Sequence, residues 1–341
     1  MTLSARAADP ADFSAVNAAL RALPEMHSME ADDGTKLVYS VVPPTSSTGP
    51  FRPVIIVEGR GESAFRYVEI IEEMQEKGFG PFYILDHRNQ GFSEQEILGA
   101  VHSSDFNLYA KDLVKFGGSY DGPVQKDLRA RGITEKPLII AHSAGTPVIN
   151  KAFVLQPDLG KKVVYIAPMN EINLGPTLER FHNKPIEILT SAMRGLRLGK
   201  KVYGPTVDDP KTLRLPRMAP LYAQEQLLNV RTPQESFSWI NEALKAGTAI
   251  RTGVIPPPPV ATLIFTGRRD QVVNNAATMA FACKTKSCTV VDLDGGHSLH
   301  NERKSIRSIL VDHIDKFDRD EHIPNPGTEC GSLYRVLYRS K

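Results

Sequence analysis

Short apolar runs alternate with amphipathic stretches through most of this chain. Met26–Ala31 and Lys36–Val42 read as two short strands joined by Asp32-Asp33-Gly34-Thr35, where the Asp-Gly pair suits a hairpin turn. Val54-Ile55-Ile56-Val57 and Phe82-Tyr83-Ile84-Leu85 have no polar face, the mark of strands buried on both sides of a sheet. Between them, Ser63–Lys77 carries Phe65, Val68, Ile71 and Met74 three apart. That spacing predicts an amphipathic helix, with Ser63 as its N-cap and Gly78 and Gly80 as its stop. Helices are also predicted over Phe106–Phe116, with Asp105 as N-cap, and over Pro123–Ala130. The apolar run Pro137–Ile140 leads into Ala141-His142-Ser143-Ala144-Gly145, followed by a helix over Thr146–Gln156. Lys162–Ile166 is a further strand, closed by Ala167-Pro168.

The rhythm stops between about Met169 and Leu244. Proline-punctuated stretches there predict short helices over Pro176–Phe181, Ile186–Leu196, Pro220–Leu228 and Pro233–Ala246. After the stiff connector Pro256–Pro259 the alternation resumes. Strands are predicted over Val260–Phe265 and Cys288–Leu293, and helices over Asn274–Cys283 and Glu302–Phe317. Alternating strands and helices predict an α/β fold, a mostly parallel central sheet with helices on both faces. The core is expected over 26–169 and 245–318. Residues 170–244 form a helical cap over the C-terminal edge of the sheet, 1–25 a leader, and 319–341 a polar tail.

Composition narrows the class. The chain has 341 residues, 41% hydrophobic and 23% charged, with a net charge of +2. This is ordinary globular usage, and it gives no strong electrostatic pull toward nucleic acid. No apolar run is long enough to span a bilayer. The start of the chain lacks the basic and apolar regions of an intact signal peptide, while the Ala-rich Ala5–Ala11 fits either the scar of a removed signal or a disordered leader. The compartment is therefore either the cytoplasm or, after signal removal, the periplasm or exterior. Cys283 and Cys288 are close enough in sequence to bridge in an oxidising compartment, leaving Cys330 over; in a reducing one all three are thiols.

Three loops carry the candidate chemistry. A serine between small residues on a strand-to-helix turn has its hydroxyl pushed above the sheet, and Ala141 and Gly145 are small enough for that turn. The N–H of Ala144, at the helix start, then points toward a developing oxyanion. The glycines of Glu58-Gly59-Arg60-Gly61-Glu62-Ser63, directly after a buried strand, nominate the N–H of Arg60 as a second donor. Asp270 follows one late strand and His297 the last, giving the chain order Ser143, Asp270, His297 along one sheet edge. Ser143 is the nucleophile, His297 the base and Asp270 the group that orients the ring. His87, His102, His142 and His300 are rival bases, and Asp292 and Asp294 rival acids. Asp86, Arg88 and Ser93, in Asp86–Ser93, either line a binding site or brace the nucleophile loop. The cysteines and histidines lack metal-ligand spacing and no glycine pattern cradles a phosphate, so no metal or cofactor is expected.

These segments, together with Ala167-Pro168-Met169, Asp270-Gln271-Val272-Val273 and Gly296–Glu302, resemble the α/β-hydrolases of the serine-aminopeptidase-like S33 group. That group contains monoacylglycerol lipases and the bacterial lysophospholipase L2 proteins. The lysophospholipase L2 branch is the nearer, through the Gly-Arg-x-Glu-Ser loop and the Asp-His-Arg-x-Gln-Gly segment. The resemblance spans about Met26–Phe317. It implies a serine hydrolase working through an acyl-enzyme on a single-chain lipid ester, a lysophospholipid first and a monoacylglycerol second. Substrate contacts are expected at His142, Met169, Phe181 and Met193, with apolar cap residues fitting either an acyl tunnel or a cap core, and with transient contact of the cap with a membrane surface. Two positions depart from the monoacylglycerol-lipase pattern: Glu58-Gly59 replaces His-Gly, and Ala141 replaces the first glycine of the elbow. The other readings are an amidase or peptidase or a short-chain esterase on the same triad, and a non-catalytic binding protein on a hydrolase scaffold.

Overall fold

Each inner strand presents alternate side chains to opposite faces, and both faces are covered. The computed structural model describes residues 25–323, apart from 47, 180, 205–220, 223, 224, 226 and 229. In chain order its strands are β1 (Glu25–Glu30), β2 (Lys36–Val42), β3 (Val54–Val57), β4 (Phe82–Leu85), β5 (Ala100–Val101), β6 (Leu138–His142), β7 (Lys162–Ile166), β8 (Val202–Tyr203), β9 (Gln234–Ser236), β10 (Thr262–Gly267) and β11 (Cys288–Leu293). Eight form the central sheet in the order β1-β2-β4-β3-β6-β7-β10-β11. The pairs β1·β2 and β2·β4 are antiparallel, and every later pair is parallel. This is the α/β-hydrolase architecture.

In β3, Val54 and Ile56 join one core cluster while Ile55 and Val57 join the other. The first cluster is closed by the helices Val68–Gln75 and Lys304–Asp318, through Ile70, Met74, Leu310 and Ile314. The second is closed by Phe106–Leu113, Gly145–Leu155 and Phe237–Thr252, through Phe106, Val148 and Trp239. Burial on both faces explains why β3 and β4 contain only apolar residues.

Several local expectations are revised. Ser63 does not cap the next helix. The chain enters it through a 3₁₀ turn, Ala64–Tyr67, and the Ser63 hydroxyl instead donates to Glu225 Oε1 at 2.9 Å. Asp105 does cap its helix, accepting from the Asn107 N–H at 2.8 Å, but that helix passes into a π turn at Val114–Gly118. The inserted region is not purely helical: β5, β9 and β8 make a second, three-stranded sheet, so the stretch expected as a helix from Pro233 begins as a strand. The helix Phe237–Thr252 runs unbroken through the expected cap boundary at 244/245. Cys283 and Cys288 are not joined by a disulfide. The leader, the tail beyond 323 with Cys330, and part of the helix expected over Pro220–Leu228 lie outside the described residues. Among the described residues, no helix is long and apolar enough to cross a membrane.

Candidate active site

In a parallel sheet the loops after successive strands emerge at one edge, and here they carry all the candidate chemistry. Arg60 follows β3, Asp86 follows β4, Ser143 follows β6, Met169 follows β7, Asp270 follows β10 and His297 follows β11. Ser143 sits at φ +46°, a left-handed conformation that costs a non-glycine residue on the order of 1–3 kcal/mol. The surroundings hold it there. Its N–H donates to the Ile166 carbonyl at 3.1 Å, and its carbonyl accepts from Met169 and Thr146, each at 3.0 Å. Gly145 must be glycine, because a Cβ there would lie 2.6 Å from the Val57 carbonyl oxygen and 2.9 Å from that of Glu58. The helix therefore starts directly against β3.

The structure brings the three separated residues together. His297 Nε2 lies 2.8 Å from Ser143 Oγ, and His297 Nδ1 lies 2.8 Å from Asp270 Oδ2. A carboxylate only accepts, so Nδ1 carries the proton, and in the neutral ring Nε2 is left to accept from the serine. Asp270 Oδ1 takes the N–H groups of Val272 and Val273 at 2.8 and 3.2 Å. Burial pushes the Asp270 carboxyl up, but His297 and these two N–H groups outweigh it and leave it below its ordinary value. The N–H groups of Arg60, in the loop after β3, and of Ala144, directly after Ser143, have no acceptor among the described residues.

The rival groups are engaged elsewhere. His102 bonds Ser236 and faces Glu96. His87 is buried against Tyr109. His300 is buried, stacked on Tyr67 with ring centroids 4.7 Å apart. Asp292 holds Thr266 and Arg268, and Asp294 faces Arg269. Asp86, Arg88 and Ser93 brace the loops. Asp86 accepts from the N–H groups of Ala64 and Phe92, and Ser93 bonds the Asp86 carbonyl. Arg88 joins Asp112 and Asp33, each at 2.7 Å.

A cleft of about 320 Å³ opens over Ser143 and His297. Its described walls are largely polar: Arg60, Glu62, Arg66, His142, Tyr203, Tyr222, Arg231, Thr232 and Glu235 are among them. Of the expected substrate contacts, only His142 lines it. Its Nδ1 lies 3.0 Å from Glu62 Oε2 and its Nε2 3.3 Å from the His297 carbonyl oxygen. Met169 is packed into the hydrophobic core. Phe181 is largely exposed, and Met193 rides on the helix Lys184–Gly195, which packs on Phe237–Thr252. None of these three borders the cleft among the described residues, whereas Tyr203 and Glu235 of the small β5·β9·β8 sheet do.

Sequence reasoning missed two supports inside motifs it had singled out. Glu62 Oε2 takes the Gly59 N–H at 2.8 Å and the Tyr67 hydroxyl at 2.6 Å, besides facing His142. Gln90 accepts from the Gly61 N–H at 2.8 Å and donates to the Gly59 carbonyl at 3.1 Å. A buried glutamate and glutamine among glycines were the available signal. Glu62, His142 and His300 also cluster closely enough to offer three ligand atoms to a metal ion, but Glu62 Oε2 already takes three hydrogen bonds and His300 Nε2 faces the Asn301 side chain at 2.9 Å.

Comparison with known proteins agrees with this architecture. Lysophospholipase L2 of Escherichia coli K12 is 25% identical over 296 residues, covering 80% of this chain and 82% of the relative. A probable lysophospholipase L2 of Haemophilus influenzae is 22% identical over 277 residues, covering 77% and 82%. A soluble variant of monoglyceride lipase from Saccharomyces cerevisiae, solved with a substrate analog, superposes with a TM-score of 0.66 at 15% identity, over 87% of this chain and 96% of that one. A thermostable carboxyl esterase from Bacillus coagulans gives 0.63 at 14%, over 87% and 98%. The profile of the family described as serine aminopeptidase, S33, matches residues 49–304, and the chain belongs to that family of α/β-hydrolases.

Proposed function

We propose that this protein is a serine hydrolase cleaving carboxylic esters of single-acyl-chain lipids, lysophospholipids first and monoacylglycerols second. The observation that carries the reading is the pair of 2.8 Å contacts linking Ser143, His297 and Asp270 on the floor of an open cleft. His297 takes the Ser143 proton as Oγ attacks the ester carbonyl. Asp270 keeps the ring in the tautomer that can accept it and stabilises the imidazolium that forms. The N–H groups of Arg60 and Ala144 receive the negative charge that develops on the carbonyl oxygen. His297 then returns the proton to the leaving alcohol, and the acyl group stays on Ser143. Water repeats the sequence and releases the fatty acid. The lipid assignment draws on the lysophospholipase L2 relatives.

The test is fatty-acid release from a lysophospholipid and a monoacylglycerol of equal chain length, with Ser143→Ala as control. Release from both, abolished in the variant, is the expected result. Hydrolysis of a short nitrophenyl ester with no release from either lipid would refute the lipid assignment. Turnover of amino-acid arylamides instead would make the protein an amidase.

A further inference from the structure

Three guanidinium groups border the cleft, and two are matched by carboxylates. Arg60 Nη1 donates to Glu235 at 3.1 Å and to the Pro233 carbonyl at 3.2 Å. Arg66 grips Glu225 through Nε and Nη2 at 2.9 and 2.8 Å. Arg231 differs. It is only 7% exposed, and no carboxylate hydrogen-bonds it among the described residues. Its neighbour is the face of Tyr222, 5.0 Å from the guanidinium carbon to the ring centroid, with Arg66 stacked on the same ring at 4.6 Å. The nearby acids are committed: Glu225 to Arg66 and Ser63, Glu235 to Arg60, and Glu62 to Gly59, Tyr67 and His142. Burying a cation without an ionic partner is unfavourable. Burial and the charge of Arg66 both press on Arg231 and hold it below its ordinary value.

The position of Arg231 is fixed by the loop after β3. A Cβ on Gly61 would lie 2.5 Å from the Thr232 carbonyl oxygen, so this backbone rests directly on that loop, and Arg60 ties down Pro233 beside it. Leu221, Tyr222 and Val230 pack with Phe65 and Phe92 into a small core beneath it. On the same wall the buried Thr232 hydroxyl has no hydrogen-bond partner among the described residues. An acyl chain cannot satisfy a guanidinium and a neutral glycerol leaves its charge unbalanced, whereas its forked N–H groups match phosphate oxygens.

We propose that Arg231, assisted by Thr232, forms a phosphate subsite beside Ser143 that receives the head group of a single-chain phospholipid ester. The proposal rests on the lipid-esterase reading and deepens it by naming what distinguishes the two lipid classes. In the bound ester the phosphate-bearing alcohol lies on the Arg60–Arg231 side of the cleft.

The experiment compares wild type with Arg231→Gln and Arg231→Lys on a lysophospholipid and a monoacylglycerol of the same chain length. The expected result is a fall of about 10- to 100-fold in the ratio of kcat/KM for phospholipid to that for monoacylglycerol in Arg231→Gln, carried mainly by KM, with partial rescue in Arg231→Lys. Equal losses on both substrates, which a merely structural role would give, would overturn the proposal. So would an unchanged ratio. A second measurement does not depend on lipid turnover: inhibition of nitrophenyl ester hydrolysis by sn-glycerol 3-phosphate. Competitive inhibition weakened at least about tenfold in Arg231→Gln is expected. Absence of inhibition in wild type, or equal inhibition in both, refutes the subsite. Inorganic phosphate acting as strongly as glycerol 3-phosphate would mark a free-phosphate site and refute a head-group role. If neither lipid is hydrolysed, the lipid reading fails while this second measurement still decides the subsite.

Discussion

Glu62→Gln is the most informative single perturbation, because one buried oxygen ties the loop after β3 to the serine turn. Glu62 Oε2 takes the Gly59 N–H at 2.8 Å, the Tyr67 hydroxyl at 2.6 Å and His142 Nδ1 at 3.0 Å. A hydrogen bond to a charged acceptor contributes about 1.5–3 kcal/mol and one to a neutral acceptor about 0.5–1.5. Glutamine keeps the shape and loses the charge, so each of three bonds weakens by about 1 kcal/mol. The expected loss of stability is about 3 kcal/mol, read from urea midpoints with the slope unchanged. Burial raises the Glu62 carboxyl, but His142 outweighs that and holds it well below 4.5. The sign follows: stabilisation by the carboxylate is complete above its unfolded value and is lost as pH falls through the lower folded one. The gap between wild type and variant therefore narrows as the solution is made acidic through and below the ordinary carboxylate range. Loosening Gly59 also lets the Arg60 N–H drift. Losing an oxyanion donor outright costs about 10²–10³ in kcat, so a partial shift should lower kcat about tenfold with little change in KM. A variant within 0.5 kcal/mol of wild type, or with unchanged kcat, would refute the argument (0.5 kcal/mol being about the spread of neutral surface substitutions).

Two further outcomes are expected. Asp270→Asn should lower kcat for a nitrophenyl ester by about 10⁴ while the protein stays folded, because an amide lets the His297 ring take the wrong tautomer; a loss under about tenfold would remove Asp270 from the mechanism. His87 is buried, and burial pulls it from 6.5 down to about 4. Its stabilisation is present above pH 6.5 and lost as pH falls through 4. Neighbouring Asp86, pushed by burial up to about 6, works in the opposite sense, its share being lost as pH rises through 6. His87→Leu removes only the first effect, so the variant should gain about 2 kcal/mol on wild type between pH 7 and 4.5, measured by urea unfolding. Parallel stability profiles for the two proteins would contradict this.

The inner strands of the central sheet were legible because burial on both faces leaves short, wholly apolar runs bounded by turn residues. Val54–Val57, Phe82–Leu85, Lys162–Ile166 and Cys288–Leu293 fall at their expected bounds. The positions of Ser143, Asp270 and His297 were legible for a related reason, since each follows a readable strand and a parallel sheet sends all such loops to one edge. Contacts between distant, unpatterned segments were not. Ala100–Val101, Val202–Tyr203 and Gln234–Ser236 are too short to show a period, and the pairing of Ala100 with Gln234 joins segments more than a hundred residues apart. Ser63 read as a helix cap because its partner Glu225 lies 162 positions away. Three of the expected substrate contacts fall outside the described cleft for this reason: Met169, Phe181 and Met193 are apolar residues in the right region, and apolar character alone does not tell a cleft wall from a core.

The loop after β3 shows how the readable and unreadable parts join. Glu62 ties its backbone to the serine turn, while the side chains of Arg60, Ser63 and Arg66 reach the inserted region. Arg60 holds Glu235 and Pro233, Ser63 and Arg66 hold Glu225, and Gly61 leaves room for the Thr232 carbonyl. On the reading proposed above, the oxyanion is held by main-chain N–H groups, which any side chain can supply. The side chains of the same short motif are then free to position the wall that carries Arg231 and Tyr222. Rate and head-group choice are thus separable at neighbouring atoms: substitutions at Arg60 or Arg66 shift the wall through Glu235 or Glu225 while the donor N–H groups stay in the chain. This also explains how Glu58-Gly59 can stand where monoacylglycerol lipases have His-Gly without removing a catalytic group. The departure lies on the side of the loop that meets Asp86 and the core rather than the ester.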